Sequence, residues 1–369
     1  MIDPRYGLAA DIIKVKDFYQ KFYPDQASEK CGDLFDWLYL QNPLTKPGVL
    51  PIIIVMDNEN HEIIAHEGLF HDLMKINGEE RIVTWGTDLL VHPAYRGQGI
   101  AKKIHSFIHK NEKIYIAIAM ASNTRALLKK YRNVPLSPVY SFVAILDQSF
   151  YDHPKYLLQI LKFNFNLIGK ILFILKSYLK LPSEYSFIKK YLINCSIKDL
   201  NPSGNIFNSV FTDDEFISFR RSYERNADNI HIYSEETIKW KFINQPGKDF
   251  RLFIYRDEEV RGYVIIRLQK INDFKIGIIS DLAAESSKIT SSLLGFSKEF
   301  CLKENCNSVF VMIHNSKFKR SYRAQGFFQI NKRIPLLISN SIPVQKLKYA
   351  HFRFNYESHD MDRISNFRY

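Results

Sequence analysis

The stretch from Thr87 to Ala101 restricts the possible folds more than any other part of the sequence. It reads Thr-Asp-Leu-Leu-Val-His-Pro-Ala-Tyr-Arg-Gly-Gln-Gly-Ile-Ala, so an apolar strand ends at His92-Pro93, a loop with two glycines follows, and a helical pattern begins at Ile100. Glycine allows the backbone to approach a ligand closely and to adopt left-handed conformations. The N-terminus of a helix presents amide N–H groups and a positive dipole to an anion. The stretch therefore predicts a binding site for a phosphate or pyrophosphate group.

Two other phosphate-binding glycine loops do not match this stretch. The Walker loop ends in Gly-Lys followed by Ser or Thr, and this ending is absent here. The dinucleotide-binding loop has three spaced glycines early in a βαβ unit, and these are absent as well. The sequence instead predicts a cradle that is formed by the backbone and needs no lysine.

The loop and its flanking residues resemble motif A of the GNAT superfamily of N-acetyltransferases. The core of that motif is Arg or Gln, any two residues, Gly, any residue, and then Gly or Ala; Arg96, Gly99 and Ala101 match it. The preceding Leu-Val-His-Pro is also similar to the family. The resemblance implies that the backbone of this loop holds the pyrophosphate of coenzyme A, through the residues Arg96, Gly97, Gln98, Gly99, Ile100 and Ala101.

The resemblance also implies where the rest of CoA binds. In GNAT folds two neighbouring parallel strands splay apart, and the pantetheine arm of CoA enters the gap between them. Here the backbone of Leu89, Leu90 and Val91 would form one edge of that gap, with residues 113–121 as the second strand. Asn123 takes the place of a family asparagine that often reaches the pantetheine, although it serves equally well as the N-cap of a helix beginning at Thr124.

The resemblance also supplies a candidate general acid, with a departure from the family pattern. GNAT enzymes often carry a tyrosine seven residues after that asparagine, and this tyrosine protonates the departing CoA thiolate. Lys130 occupies that position here, and Tyr131 follows it. We therefore select Tyr131 as the candidate.

A general base must also be found, because an attacking ammonium group has to lose a proton. Trp85 and Thr87, the inward positions on the motif A strand, do not titrate usefully. Glu67 is our choice, and the neighbouring His66 is expected to point to the opposite face of its strand. Asp88 is expected to pair with a basic residue on the other face of the sheet.

Strand and helix patterns alternate along the first half of the chain. Apolar runs predict strands over 49–55, 63–69, 81–91, 113–121 and 140–146, and helical spacing predicts helices over 100–109 and 124–131. This alternation predicts an α/β fold, of the α+β type with a mixed sheet, in which helices cover the sheet.

An internal repeat divides the chain. Trp37 stands six residues before Pro43, and Trp240 stands six residues before Pro246; a strand-turn-strand pattern follows each pair. Both tryptophans are expected to pack in a core. The repeat predicts two tandem related domains over 1–150 and 205–369, and the resemblance of the first copy to GNAT enzymes implies that both are GNAT-like.

The second copy differs from the first in a complementary way. Asn315 is followed at family spacing by Tyr322 and Gly326-Phe327, but residues 280–287 contain neither the glycines nor the arginine of motif A. We expect a degenerate second domain without a phosphate cradle, and therefore one CoA per chain.

The connector predicted over 151–204 contains an unusual basic segment. Five lysines fall on one helical face between Lys155 and Leu181, and no Asp or Glu occurs there. We interpret it as an amphipathic helix that packs between domains, with contact to an acidic membrane surface as the alternative.

Composition limits the partners and the compartment. The chain has 51 Lys and Arg against 39 Asp and Glu, a formal charge of +12 that attracts polyanions such as CoA. The four cysteines form no CxxC pair, so we expect no metal site. The N-terminal residues show no basic segment followed by an apolar stretch, so we expect a cytoplasmic protein.

The resemblance to GNAT enzymes implies an N-acetyltransferase that moves an acetyl group from acetyl-CoA to a small polar amine, with amino sugars among the candidates. Two alternatives stay open. One is a Fem-like aminoacyltransferase that uses aminoacyl-tRNA, although motif A argues against a nucleic-acid partner. The other is a non-catalytic acyl-CoA-binding protein, which the displaced tyrosine and the uncertain base would suit.

Overall fold

The computed structural model describes residues 3–22, 24–118, 122–131, 133–136, 139–146, 196–199, 214–228, 230–247, 249–271, 274–313, 319–329 and 336–339. The amphipathic helix predicted between Lys155 and Leu181 lies outside these residues, as does Asn315.

The strands of the described chain differ widely in length. They are β1 (Arg5–Gly7), β2 (Leu50–Met56), β3 (Ile63–Ile76), β4 (Glu79–Val91), β5 (Tyr115–Ile118), β6 (Val134–Pro135), β7 (Tyr140–Ile145), β8 (Ser196–Asp199), β9 (Ile230–His231), β10 (Asp249–Arg256), β11 (Val260–Ile271), β12 (Phe274–Ala284), β13 (Ser308–Ile313), β14 (Phe328–Gln329) and β15 (Leu336–Ile338).

The α-helices in the described residues are α1 (Ile12–Phe22), α2 (Pro24–Cys31), α3 (Asp33–Phe35), α4 (Ile100–Asn111), α5 (Ser122–Lys130), α6 (Asp214–Arg225), α7 (Glu235–Ile238), α8 (Ser287–Lys303) and α9 (Lys319–Ala324). Two π-helical turns, Asp36–Leu40 and Lys239–Ile243, carry the repeated tryptophans. Helix α4 begins at the predicted Ile100.

The chain forms two compact units, each with its own sheet. The first unit contains Met1–Ser137, Asp228–Gly247 and Pro335–Ala350; the second contains Pro138–Ala227, Lys248–Ile334 and His351–Tyr369. The first sheet has the order β1-β2-β3-β4-β5-β15-β6, with β9 paired to β3, and the second has the order β14-β7-β13-β12-β11-β10-β8. The predicted fold class, a mixed α/β sheet in two tandem copies, is confirmed. The domain boundaries at 150 and 204 stay a prediction.

Each sheet includes strands from both halves of the chain. The strand predicted over 140–146 is present as β7, but it pairs with β13 in the second sheet. In the first sheet β15, from the C-terminal half, pairs with β5 and β6. A strand pattern specifies the faces of a strand but not its partner, because pairing depends on residues distant in the sequence.

Helices cover both faces of the first sheet. Alternate residues of β2 contribute to two cores: Ile52 and Ile54 pack with α1, whereas Ile53 and Val55 pack with α4. Burial on both faces explains why β2 reads as a continuous apolar run. The sheet thus has an α1 face, which includes Ile52 and Ile54, and an α4 face, which includes Ile53 and Val55.

No helix in the described part of the chain is both long and apolar enough to cross a membrane. No group of three His, Cys, Asp or Glu side chains in this part of the chain could hold a metal ion.

Candidate functional site

The parallel strands β4 and β5 stay together over a short distance. Among the described residues they pair only at Thr84 with Tyr115 and at Trp85 with Ile116, although β4 continues to Val91. Beyond Trp85, β4 remains paired with β3 on its other side. Leu89, Leu90 and Val91 therefore lie beyond the last described pair between β4 and β5. Along these residues one backbone edge of β4 is not paired with β5.

The glycine loop follows directly after this edge. Gly97 and Gly99 have φ angles of 81° and 77°, the left-handed region that favours glycine. A Cβ atom built on either glycine would meet no atom within 4 Å, so the space in front of both is open. Gly99 precedes the first residue of α4, and no side chain caps that helix. Backbone amides at the start of α4 are therefore available to an anion.

The other loop residues support this arrangement. The Arg96 side chain is exposed, and its Nε donates to the carbonyl oxygen of Val91 at 3.2 Å. Gln98 Nε2 donates to the carbonyl oxygen of Ala94 at 3.2 Å. Ile100 is buried and fixes the first turn of α4 in the core, and Ala101 follows it at intermediate exposure. The loop is thus exposed to solvent, and the helix that follows it is anchored in the core by Ile100.

A β-bulge interrupts β4 between the last β5 pair and the glycine loop. Gly68 pairs with Thr87 and His66 pairs with Leu90, so Glu67 on β3 lies opposite two residues of β4, Asp88 and Leu89. Asp88 has a φ of 49°, which is uncommon for a residue other than glycine.

The bulge reverses the faces of the sheet towards which the last side chains of β4 point. Thr87 contacts Tyr39 on the α1 face at 3.1 Å between hydroxyl oxygens. In a regular strand Leu89 and Val91 would lie on that same face. They pack instead with the α4 core, and Leu90 packs on the α1 face.

Glu67 lies in a buried polar cluster on the α4 face. Its Oε1 accepts a hydrogen bond from the Tyr115 hydroxyl at 2.5 Å, and its Oε2 lies 3.6 Å from Nδ1 of His105. Gly86 makes room for the cluster, because a Cβ there would lie 2.1 Å from the Tyr115 hydroxyl oxygen. The cluster sits beside the point where β4 and β5 part.

Burial controls protonation in this cluster. It raises the pKa of Glu67 to about 8, an effect that the Tyr115 hydrogen bond opposes. Burial also lowers the pKa of His105 to about 4. At neutral pH both side chains are therefore mainly uncharged, and their proximity is a polar contact rather than an ion pair. Above about pH 8 the Glu67 carboxylate becomes able to accept a proton.

His66 points away from this cluster, as predicted. Its ring lies 5.3 Å from that of Phe18 and 4.7 Å from that of Tyr19, both on the α1 face. Burial lowers the pKa of His66 to about 3, so the imidazole is neutral.

Tyr131 and Asn123 lie at the two ends of α5. The Tyr131 hydroxyl donates to the carbonyl oxygen of Lys102 at 2.7 Å, and its ring stacks on His109 at 5.1 Å. Asn123 is exposed, and its Oδ1 accepts from the amide of Thr124 at 2.9 Å. Helix α5 begins at Ser122, so Asn123 lies in its first turn. Both side chains have local partners along α4 or α5.

The sequence pattern predicted no site residue at Tyr115, His105 or Gly86. Tyr115 reads as part of an apolar strand, and His105 follows Ile104 on the buried side of α4. The sequence contains one indication of a buried polar cluster: Tyr115 and His105 are polar side chains at positions whose neighbours are apolar.

The corresponding region of the second unit is built differently. Ser286 caps α8, and its Oγ accepts from the amide of Ile289 at 3.2 Å. A cavity of about 330 Å³ lies there, and it is lined by Phe219, Ser222, Tyr223, Asn226, Ala284, Glu285, Ser286 and Ser287. Tyr322 is buried, and burial raises its pKa. No glycine of left-handed conformation precedes α8, in contrast to α4.

Comparison with known proteins identifies the fold. No protein-family model and no curated protein matches the chain. The structure is similar to Saccharomyces cerevisiae N-myristoyltransferase with bound myristoyl-CoA, at 12% identity, 92% coverage of this chain, 80% coverage of that chain and a TM-score of 0.56.

Two bacterial structures are similar to a comparable degree. A GCN5-related N-acetyltransferase from Anabaena variabilis is 10% identical, with 94% of this chain and 74% of that chain covered and a TM-score of 0.54. A conserved protein of unknown function from Enterococcus faecalis, described as a probable N-acyltransferase, is 10% identical, with 95% and 75% covered and a TM-score of 0.53. These likenesses, together with the two mixed sheets, show that the chain has the fold shared by GNAT enzymes and N-myristoyltransferase.

Proposed function

We propose that the protein transfers an acyl group from coenzyme A to an amine. One observation carries this proposal: the backbone edge of β4 leaves β5 after Trp85 and leads directly into the glycine loop before α4. An extended pantetheine arm could pair with such an edge as a strand would, while its pyrophosphate meets the amides at the helix N-terminus. The N-acyltransferases of similar fold support the same class of reaction.

The donor would bind through the residues selected from the sequence. Leu89, Leu90 and Val91 supply the strand edge, and Gly97 and Gly99 allow the pyrophosphate to approach the backbone. Arg96, Gln98, Ile100 and Ala101 complete the loop. Asn123 is proposed to contact the pantetheine from the start of α5.

The reaction needs no covalent enzyme intermediate. The amine nitrogen attacks the thioester carbonyl carbon, the C–S bond breaks, and the electron pair leaves with the sulfur. We assign the proton from the attacking nitrogen to Glu67, whose pKa of about 8 makes it an effective base in mildly alkaline solution. Tyr131 is assigned to protonate the thiolate.

For the specific substrates we propose acetyl-CoA and a small polar amine such as an amino sugar, with the reaction in the cytoplasm. The positive charge of the chain favours an anionic donor such as CoA. The acetyl group rests on the likeness of the loop to motif A of acetyltransferases.

A second candidate function is the binding of acyl-CoA without turnover. Two observations favour it: Glu67 is mainly protonated at neutral pH, and the Tyr131 hydroxyl is engaged by the Lys102 carbonyl oxygen.

Release of CoA thiol distinguishes these functions. Acetyl-CoA is mixed with amino sugars, amino acids and polyamines at pH 7 and pH 9, and free thiol is measured with and without each amine. Amine-dependent thiol release supports the transferase. Acetyl-CoA binding without release at either pH supports the binding protein. Transfer from aminoacyl-tRNA in place of acetyl-CoA would contradict both and indicate a Fem-like enzyme.

A further inference from the structure

A buried ion pair holds the bulge of β4 from the α1 face. Lys30, near the end of α2, places its Nζ 2.5 Å from Oδ1 of Asp88, and both side chains are more than nine-tenths buried. The Tyr19 hydroxyl lies 3.3 Å from Oδ2 of the same carboxylate. The Lys30 ammonium also lies 4.9 Å from the centre of the Tyr19 ring, within cation–π range. The expected pairing of Asp88 with a basic neighbour is thus confirmed.

The position of this carboxylate depends on the bulge. In a regular strand the Asp88 side chain would lie on the same face as Gly86, towards the buried Glu67. A second carboxylate there would meet the acidic Glu67 and apolar residues of the α4 core. The left-handed φ of 49° at Asp88 instead allows its side chain to reach Lys30 and Tyr19.

The same bulge determines towards which face of the sheet each residue of the proposed donor-binding edge points. It turns Leu89 and Val91 towards the α4 core and Leu90 towards the α1 face. Without the left-handed residue the strand would regain its regular alternation, and these three residues would exchange faces. The backbone groups that meet the pantetheine would then change direction as well.

We propose that Lys30 is a positioning residue for the acyl-CoA donor, because it holds Asp88 in the left-handed conformation that creates the β4 bulge. Lys30 acts through Asp88 and need not touch the donor itself. This inference rests on the proposed function, since it concerns the same donor site.

The test compares acetyl-CoA affinity by calorimetry in variants of the full chain. Lys30→Met removes the charge that holds Asp88, and we expect at least about tenfold weaker binding. Lys30→Arg keeps the ion pair and should stay within about threefold of the wild type. Lys16→Met is the matched control, because the Lys16 ion pair with Asp36, 3.3 Å apart, joins α1 to the first π-helical turn rather than to β4 and is partly exposed.

Two double variants separate positioning from stability. Lys30→Met with Asp88→Gly leaves no unpaired charge, and glycine adopts the left-handed conformation without help. Lys30→Met with Asp88→Leu also leaves no unpaired charge, but leucine resists that conformation. We expect the glycine variant to bind within about threefold of the wild type and the leucine variant at least about tenfold more weakly, at similar unfolding temperatures.

The outcomes distinguish this inference from the proposed function. Equal acetyl-CoA affinity in the two double variants would overturn the role of Lys30 while leaving the donor site intact. Failure of the wild-type protein to bind acetyl-CoA would overturn the donor site and the inference with it. If Lys30→Met alone does not fold, the two double variants still decide the question.

Discussion

Trp37 and Trp240 bind each other through reciprocal hydrogen bonds although 203 positions separate them. The indole N–H of Trp37 donates to the backbone carbonyl of Trp240 at 2.7 Å, and that of Trp240 donates to the carbonyl of Trp37 at 2.8 Å. The rings stack with centroids 4.8 Å apart. The repeat seen in the sequence thus becomes a symmetric contact within the first unit, and the expected core packing of both tryptophans is confirmed.

This pair should be energetically coupled. Trp37→Phe or Trp240→Phe removes one indole donor, so a buried carbonyl loses its hydrogen bond to that indole, which we expect to cost about 1–3 kcal/mol of unfolding free energy. The double variant should differ from the sum of the single variants because the two residues are in contact. Urea unfolding of the four proteins measures the coupling. Strict additivity would show that the reciprocal arrangement carries no energy of its own.

A buried charge cluster that includes Lys241, the residue after Trp240, should make the first unit sensitive to substitution. Asp72 Oδ2 lies 2.8 Å from Lys241 Nζ and 2.8 Å from His231 Nδ1. Asp72→Asn leaves the Lys241 ammonium buried without its counter-charge, at an expected cost of about 3–5 kcal/mol. Adding Lys241→Met should restore most of that stability. A double variant that is less stable than Asp72→Asn alone would contradict this account.

The same carboxylate predicts a loss of stability in acid. Burial by itself raises the pKa of Asp72, but Lys241 and His231 outweigh it and lower that pKa well below its usual range. Because the folded pKa is lower than the unfolded one, ionised Asp72 stabilises the fold at neutral pH. This contribution is lost as the pH falls below about 4. Urea unfolding from pH 7 to pH 3 should show less acid dependence in the double variant Asp72→Asn with Lys241→Met.

The glycine loop should lose its ligand when charge is added. Gly99→Glu places bulk and a negative charge in the open space before α4, and we expect acetyl-CoA binding to weaken by more than about tenfold, or about 1.4 kcal/mol. Gly78→Glu is the matched control, because Gly78 also has a left-handed φ, 85°, with open space in front of it. Calorimetry on both folded variants makes the comparison. Unchanged affinity in Gly99→Glu would remove the pyrophosphate assignment.

One CoA should bind per chain. The first unit has the open glycine loop before α4, whereas Ser286 caps α8 at the corresponding place in the second unit. Calorimetric titration with acetyl-CoA should therefore give a stoichiometry near one. Ser286→Glu should leave that titration unchanged. Two equivalent sites, or loss of binding in Ser286→Glu, would contradict the asymmetry.

Catalysis should rise with pH through the titration of Glu67. Burial raises the pKa of this carboxyl to about 8, so the fraction able to accept a proton grows between about pH 7 and pH 9. Tyr115→Phe removes the hydrogen bond that lowers this pKa, which should move the midpoint of the profile to higher pH. Glu67→Gln should abolish the rise. A wild-type profile that is flat over this range would exclude Glu67 as the base.

The sequence by itself determined the features that depend on contiguous residues. The strand, glycine loop and helix between Thr87 and Ile100 formed as predicted, because glycine conformation and helix initiation depend on local backbone chemistry. The alternating apolar patterns likewise predicted the mixed sheets and the opposite orientations of His66 and Glu67, since side chains alternate along any strand.

Tertiary structure alone decided the features that depend on distant partners. The exchange of β7 and β15 between sheets, the bulge that Lys30 holds through Asp88, and the cluster of Glu67 with Tyr115 join residues far apart in the chain. A strand pattern fixes which residues face each side, but not which edge it pairs with or where an extra residue is inserted. Those choices follow from the summed packing and charge pairing of the folded chain, because no local segment contains both partners of these contacts.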